Sequence, residues 1–92
     1  MYLEIVSPEA TLFAGEVDSV IVPGSAGYFQ MLNNHASIVS SLKEGVVKIS
    51  GKIDLDDATK DKFQMEDGNT ILFKINSGTV EMRDNKLILL AD

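Results

Sequence analysis

Apolar and polar side chains alternate along most of this chain with a period of two, the signature of strands that bury one face. Tyr2–Val6 alternates first. After Ser7-Pro8, Thr11–Ala14 and Glu16–Val22 read as two short strands separated at Gly15, and Gly27–Met31 as a fourth. Ile38–Leu42 and Val46–Ile49 flank Lys43-Glu44-Gly45, a loop of hairpin length with its glycine placed for positive φ. Further on, Thr70–Ile75 sets Ile71, Phe73 and Ile75 on one face. Thr79–Met82 sets Val80 and Met82 opposite Thr79 and Glu81, after a turn at Ser77-Gly78. Arg83-Asp84-Asn85 turns the chain into Lys86–Leu90, whose unbroken Leu-Ile-Leu-Leu predicts a strand covered on both sides.

Turn signals recur about every 8–12 residues, which predicts an all-β sandwich or barrel. Asp56–Gln64 is the one helix-like stretch, with acids at its start and lysines near its end. Its apolar content, Ala58 and Phe63, is too thin for a buried face, so it reads as a solvated loop with at most one helical turn. Glu66-Asp67-Gly68-Asn69 reads as a turn leading into the strand at Thr70.

Composition narrows the class of partner. Ninety-two residues, 45% of them apolar, make one domain over residues 1–92. No run approaches the ~18–20 apolar residues of a membrane span, so no direct membrane insertion is expected. Fourteen acidic side chains against eight basic give a net charge of −6, which repels a phosphate backbone and disfavours nucleic acid. Six carboxylates and three lysines fall between Ser50 and Asn69, the stretch expected to lie in water. Without cysteine there is no disulfide, thiolate metal site or cysteine nucleophile.

Candidate chemistry is sparse. Pro23-Gly24-Ser25-Ala26-Gly27 follows a strand but leads into another strand, and no lysine precedes Lys43, so it reads as a glycine turn rather than a phosphate cradle. His35 is the single imidazole; beside Asn33-Asn34 it reads as a turn residue, and no second histidine offers a zinc spacing. Ser37, Ser40 and Ser41 follow it without an orienting acid or an evident oxyanion hole. Asp54-Leu55-Asp56-Asp57 fails the ligand order of a calcium loop at Ala58 and Thr59. No catalytic residue, metal site or cofactor is expected. If Phe29 and Met31 fill the core, Tyr28 stands outside at the tip of the glycine turn; it then either forms a protein interface or covers a neighbouring strand.

These residues, in this order, resemble a known family. Val6-Ser7-Pro8-Glu9, then Leu12-Phe13-Ala14-Gly15, the turn Pro23–Gly27, His35-Ala36 and the Lys43–Ile49 segment are similar to the N-terminal domain of the epsilon subunit of F-type ATP synthases. The tail Ile71–Asp92 agrees; Ser50–Asn69 has no clear counterpart. The resemblance implies a flattened β-sandwich of about ten short, mostly antiparallel strands. It implies a non-catalytic rotor subunit of the central stalk that couples proton flow to ATP synthesis, with the gamma subunit and the c-ring as partners and no need to self-associate. The subunit would sit peripherally on the cytoplasmic face of a bacterial inner membrane. Gly24, Ser25, Ala26, Gly27 and Tyr28 match the family's ring-facing loop, and Ser7, His35 and Ser40 match positions that lie toward gamma. Relatives often carry an acidic residue where Tyr28 stands. Most continue beyond the equivalent of Asp92 into two helices that inhibit ATP hydrolysis, so that activity is not assigned to this sequence. A free-standing acidic sandwich that binds a small ligand or peptide is the main alternative, and an enzyme with an unrecognised site around His35 is a third.

Overall fold

The computed structural model describes Met1–Asp92 and turns the alternating segments into ten strands. In chain order these are β1 (Tyr2–Val6), β2 (Thr11–Glu16), β3 (Ser19–Gly24), β4 (Gly27–Leu32) and β5 (Ile38–Leu42), then β6 (Gly45–Ser50), β7 (Gln64–Asp67), β8 (Thr70–Ile75), β9 (Gly78–Arg83) and β10 (Lys86–Ala91). Hydrogen bonds join them along one path, β2-β1-β10-β9-β5-β3-β6-β8-β7, with β4 paired to β3. Every pairing is antiparallel except β1 with β10.

The path folds over where β5 meets β3, and that contact is a single pair, Gly24 with Leu42. The cause is local. Pairing of β3 with β6 runs from Ser19 to Ile21 and then stops. Pro23, two residues on, has no N–H for that ladder. Its carbonyl instead accepts a bond from the Lys43 amide at 2.9 Å, and Gly24 reaches β5. Strand β3 thus crosses between layers, and the two halves of the path stack as a sandwich.

Alternation builds the core. Leu3 and Ile5, Val20 and Val22, Val80 and Met82, and Leu87 and Leu89 are all fully buried, joined by Ile71, Phe73 and Ile75 in one cluster of twenty buried residues. Each such side chain contributes about 1.5–3 kcal/mol by leaving water. Leu12 and Phe13 are both buried although adjacent, because the β1–β2 register shifts between Ile5 and Val6. The faces expected for β8 and β9 hold as read.

Other expectations are corrected. Gly15 lies within β2; the break between β2 and β3 falls at Val17-Asp18. Strands β5 and β6 do not form a hairpin, since one pairs with β9 and the other with β8. Gly45 has no positive φ; it is glycine because a Cβ there would stand 2.5 Å from the Tyr28 hydroxyl and 2.7 Å from Pro23 Cβ. Glu66 and Asp67 belong to β7, leaving Gly68-Asn69 as the turn. The acidic stretch is only partly in water. It has one 3₁₀ turn, Lys60–Lys62, but Ile53, Leu55 and Phe63 pack on the core, and Phe63 meets Phe73 at 5.1 Å and Phe13 at 6.5 Å. The segment straps the edge strand β2 to β8, closing the side of the sandwich opposite Gly24. Finally, β10 is covered on one side only: Leu87 and Leu89 are buried while Ile88 is half-buried and Leu90 is 50% exposed.

Candidate binding site

Two adjoining surfaces merit attention, the β3–β4 turn and the outer face of the β1-β10-β9-β5 layer. The turn is Ser25-Ala26, closed by the Gly24–Gly27 pair. Gly27 holds φ 134°, open to glycine, and a Cβ on Gly24 would meet Phe29 at 2.7 Å and the Gly27 carbonyl at 2.8 Å. Ser25 and Ala26 are exposed. The Ser25 amide donates to the Ser41 carbonyl at 3.1 Å, and the two hydroxyls lie 2.8 Å apart. Phe29 packs against the core and Met31 is fully buried, so Tyr28 points outward as expected, 56% exposed. Its hydroxyl is not free: the Val46 amide donates to it at 3.0 Å. Tyr28 therefore both covers a neighbouring strand and leaves most of its ring face open.

The second surface follows from register. Val6 pairs with Leu90, Leu90 with Thr79 and Thr79 with Ser41, one row across four strands. The next row runs Glu4, Ile88, Glu81, Val39. Val39 is 73% exposed, and with Leu90 and Ile88 it forms an apolar strip beside two carboxylates. At the Val6 end the strip opens into a groove of about 550 Å³ lined by Ser7, Pro8, Ser77, Leu90 and Asp92 among others. Sequence reasoning missed this face because it read the Leu-Ile-Leu-Leu run as covered from both sides. That reading held the signal: such a strand wants a second cover.

The three positions expected to lie toward gamma are spread over the molecule. Ser7 closes the β1–β2 turn, its hydroxyl bonded to the Ala10 amide at 3.3 Å, at the same end as Gly24. His35 lies at the opposite end, half-buried, with Nδ1 2.7 Å from the Ala36 carbonyl. Ser40 is half-buried, pairs with Val80 and donates to the neighbouring Ser41 carbonyl at 3.1 Å, so it sits on the inner side of β5, opposite Val39. No hydrogen bond joins His35 to Ser37, Ser40 or Ser41. No group of three or more His, Cys, Asp or Glu side chains converges on a metal-sized site. The acidic loop spends its carboxylates locally, Asp56 on the Ala58 amide at 3.0 Å and Asp57 on Lys60 at 3.6 Å.

The architecture is that of an all-β sandwich with a close-packed glycine turn and exposed apolar side chains on the outer face of the β1-β10-β9-β5 layer. The chain belongs to the family described as the β-sandwich domain of the ATP synthase delta/epsilon chain, which it matches over residues 1–92. It is 40% identical over 90 residues to the ATP synthase epsilon chain of Chlorobium limicola, covering 98% of this chain and 86% of that one. To the ATP synthase epsilon chain of Campylobacter curvus it is 38% identical over 92 residues, spanning 60% of that longer protein. Among solved structures, its fold is similar to a chain of the central stalk/c-ring of the Tetrahymena thermophila mitochondrial ATP synthase, with a TM-score of 0.74 at 14% identity, covering 99% of this chain and 62% of that one. A chain of the Euglena gracilis mitochondrial ATP synthase gives 0.73 at 15%, covering 97% and 48%. This family is a non-catalytic part of its complex. No helix is long and apolar enough to cross a membrane.

Proposed function

We propose that the chain is a rotor element of the central stalk of an F-type ATP synthase, binding gamma and touching the c-ring so that proton flow is coupled to ATP synthesis. Its place would be peripheral, on the cytoplasmic face of a bacterial inner membrane. The observation that carries this reading is the group of Val39, Ile88 and Leu90 on the outer face of the β1-β10-β9-β5 layer, with Val39 the most exposed large apolar side chain of the chain. Exposed apolar side chains grouped on one face mark a protein interface, and gamma is its proposed cover, with Ser7 and His35 at its two ends; Ser40, turned to the inner side of β5, would act there only through the strand it belongs to. The Gly24–Tyr28 turn, at the Val6 end of the layer, is the proposed ring contact. A close-packed interior resists compression, which suits a part that transmits torque. Glu4 and Glu81 beside the strip would favour basic groups on gamma, which sets orientation and encounter rate.

The test is a paired substitution, Val39→Asp with Leu90→Asp, in the complex reassembled with gamma. Both side chains are already exposed, so the melting temperature of the isolated chain should move little, whereas gamma affinity should fall at least about a hundredfold, the loss of two central contacts. Undiminished binding would end this assignment. The second reading, a module for a small ligand or peptide, draws on the groove beside Ser7 and Asp92. It requires saturable binding by the isolated chain that survives the paired substitution.

A further inference from the structure

The glycine turn is fastened at two points, and they belong to different layers of the sandwich. On one side, Ser25 bonds to β5 through its amide and its hydroxyl, both directed at Ser41. On the other, the Tyr28 side chain lies across Pro23 and reaches the first residues of β6, where its hydroxyl accepts the Val46 N–H at 3.0 Å. That donor is left over by the fold. Strand β3 abandons β6 after Ile21, so the strand that would have paired with Val46 on that side is gone, and Pro23 leaves space rather than a competing donor. Gly45 completes the seat, since any side chain there would occupy the position of the Tyr28 oxygen. Tyr28, Pro23 and Gly45 are thus a matched set, and the Tyr28 oxygen is the substitute for a missing ladder partner.

We propose that Tyr28 and Ser25 are positioning residues that pin the turn to both layers, so that the exposed Ser25-Ala26 tip is presented in one fixed direction. The inference rests on reading that tip as the ring contact, and it changes the part Tyr28 plays there. Through its bond to Val46 the phenol holds the contact still. A two-residue turn with a pin on each flank cannot swing toward either sheet without breaking a hydrogen bond. A coupling that must pass torque through this tip gains from that restraint, because slack in the tip is lost rotation.

The experiment compares Tyr28→Phe, which keeps the ring and deletes only the acceptor, with Gly45→Ala, whose Cβ would stand 2.5 Å from the hydroxyl and displace it. The wild-type 92-residue chain and both variants are followed by amide exchange and backbone relaxation. Both variants should accelerate exchange of the Val46 amide about tenfold or more, as expected for losing one net hydrogen bond. Both should also lower the order parameters of Ala26 and Gly27 from the rigid value of about 0.85 toward about 0.6. Combining them should accelerate Val46 exchange no further, since at that amide both remove the same bond. Rapid Val46 exchange with an unaltered Ala26 would overturn the pinning, and so would Val46 exchange that ignores Tyr28→Phe. The reading on which the inference rests has its own readout, proton-driven ATP synthesis by the reassembled complex. A loosened turn with undiminished synthesis upholds the pins and removes the turn from the ring contact.

Discussion

The two ends of the sandwich are built on different principles. At the end that carries Gly24, Gly45 and Gly78, backbone segments approach so closely that a Cβ on any of the three would fall within 3 Å of a neighbouring heavy atom. At the opposite end, three non-glycine residues, Asn34, Asp84 and Asn85, hold positive φ, and amide side chains tie the loops together. The Asn34 amide donates to Asn85 Oδ1 at 2.7 Å, the Tyr2 amide to the Asn85 carbonyl at 3.0 Å, and the terminal amine to Asn33 Oδ1 and the Val17 carbonyl. The first end is specified mainly by the absence of side chains and the second mainly by their hydrogen bonds, with Gly51 at φ 146° the one glycine seat there. The first should fail abruptly when atoms are added, and the second gradually when atoms are removed.

Gly78→Ala should break the first end most severely. Its Cβ would run into the carbonyl oxygen of Leu90 on β10, and a backbone atom in a central strand cannot turn aside as a side chain can. Overpacking of this kind costs about 1–3 kcal/mol or more. Placed at the upper part of that range, it corresponds to a fall in melting temperature on the order of 15 °C for a chain of this length. Calorimetry of the isolated chain checks it. A loss below a few degrees would mean that β9 and β10 separate easily, and that the contrast between the ends is wrong.

At the second end the sharper probe is Asn85, which the β9–β10 turn holds at φ 61° beside Asp84 at φ 53°. Two consecutive left-handed residues between the paired Arg83 and Lys86 make the hairpin turn that suits strand twist. Asn85→Ala should cost about 1–2 kcal/mol, combining the left-handed penalty with the lost bond to the Asn34 amide. Asn85→Gly keeps the conformation and loses only the bond, so it should cost about 0.5–1 kcal/mol. Equal losses in urea melts would show that conformation contributes nothing, and that the hydrogen bond alone holds this end.

How much of this was legible depends on the range of the interaction. The inward sets on β8 and β9 and the outward direction of Tyr28 follow from period two, a local property, and they hold. What went unread depends on partners distant in sequence. Nothing near Gly45 reveals that Tyr28 will lie over it, and nothing near Val46 reveals that Pro23 will send β3 elsewhere. Loop length suggested that β5 and β6 pair, but the crossing at Pro23 places them in different layers. Phe63 looked isolated because its partners, Phe13 and Phe73, come from two other strands. The Leu-Ile-Leu-Leu run was the opposite case: its pattern suggests a strand covered twice, but no segment of this chain covers Ile88 and Leu90, and gamma is the cover proposed for them.

His35 carries the smallest expected effect, and it bears on the same comparison. It stands at the amide-bonded end, half-buried, with one ring nitrogen on the adjacent Ala36 carbonyl and its own amide donating to the Leu32 carbonyl at 3.2 Å. Removing the imidazole deletes one local bond and leaves no buried group unpaired, so His35→Ala should cost about 0.5–1 kcal/mol, or about 3–6 °C of melting temperature. On the proposed gamma surface it lies at the rim, whereas Val39 lies on the strip itself. Rim contacts exclude water but contribute little energy, so the same variant should weaken gamma binding by no more than about fivefold. Titration against gamma separates the two positions. If His35→Ala weakened the complex more than the paired change at Val39 and Leu90, the weight of the interface would lie at the amide-bonded end, and the open strip would be its margin.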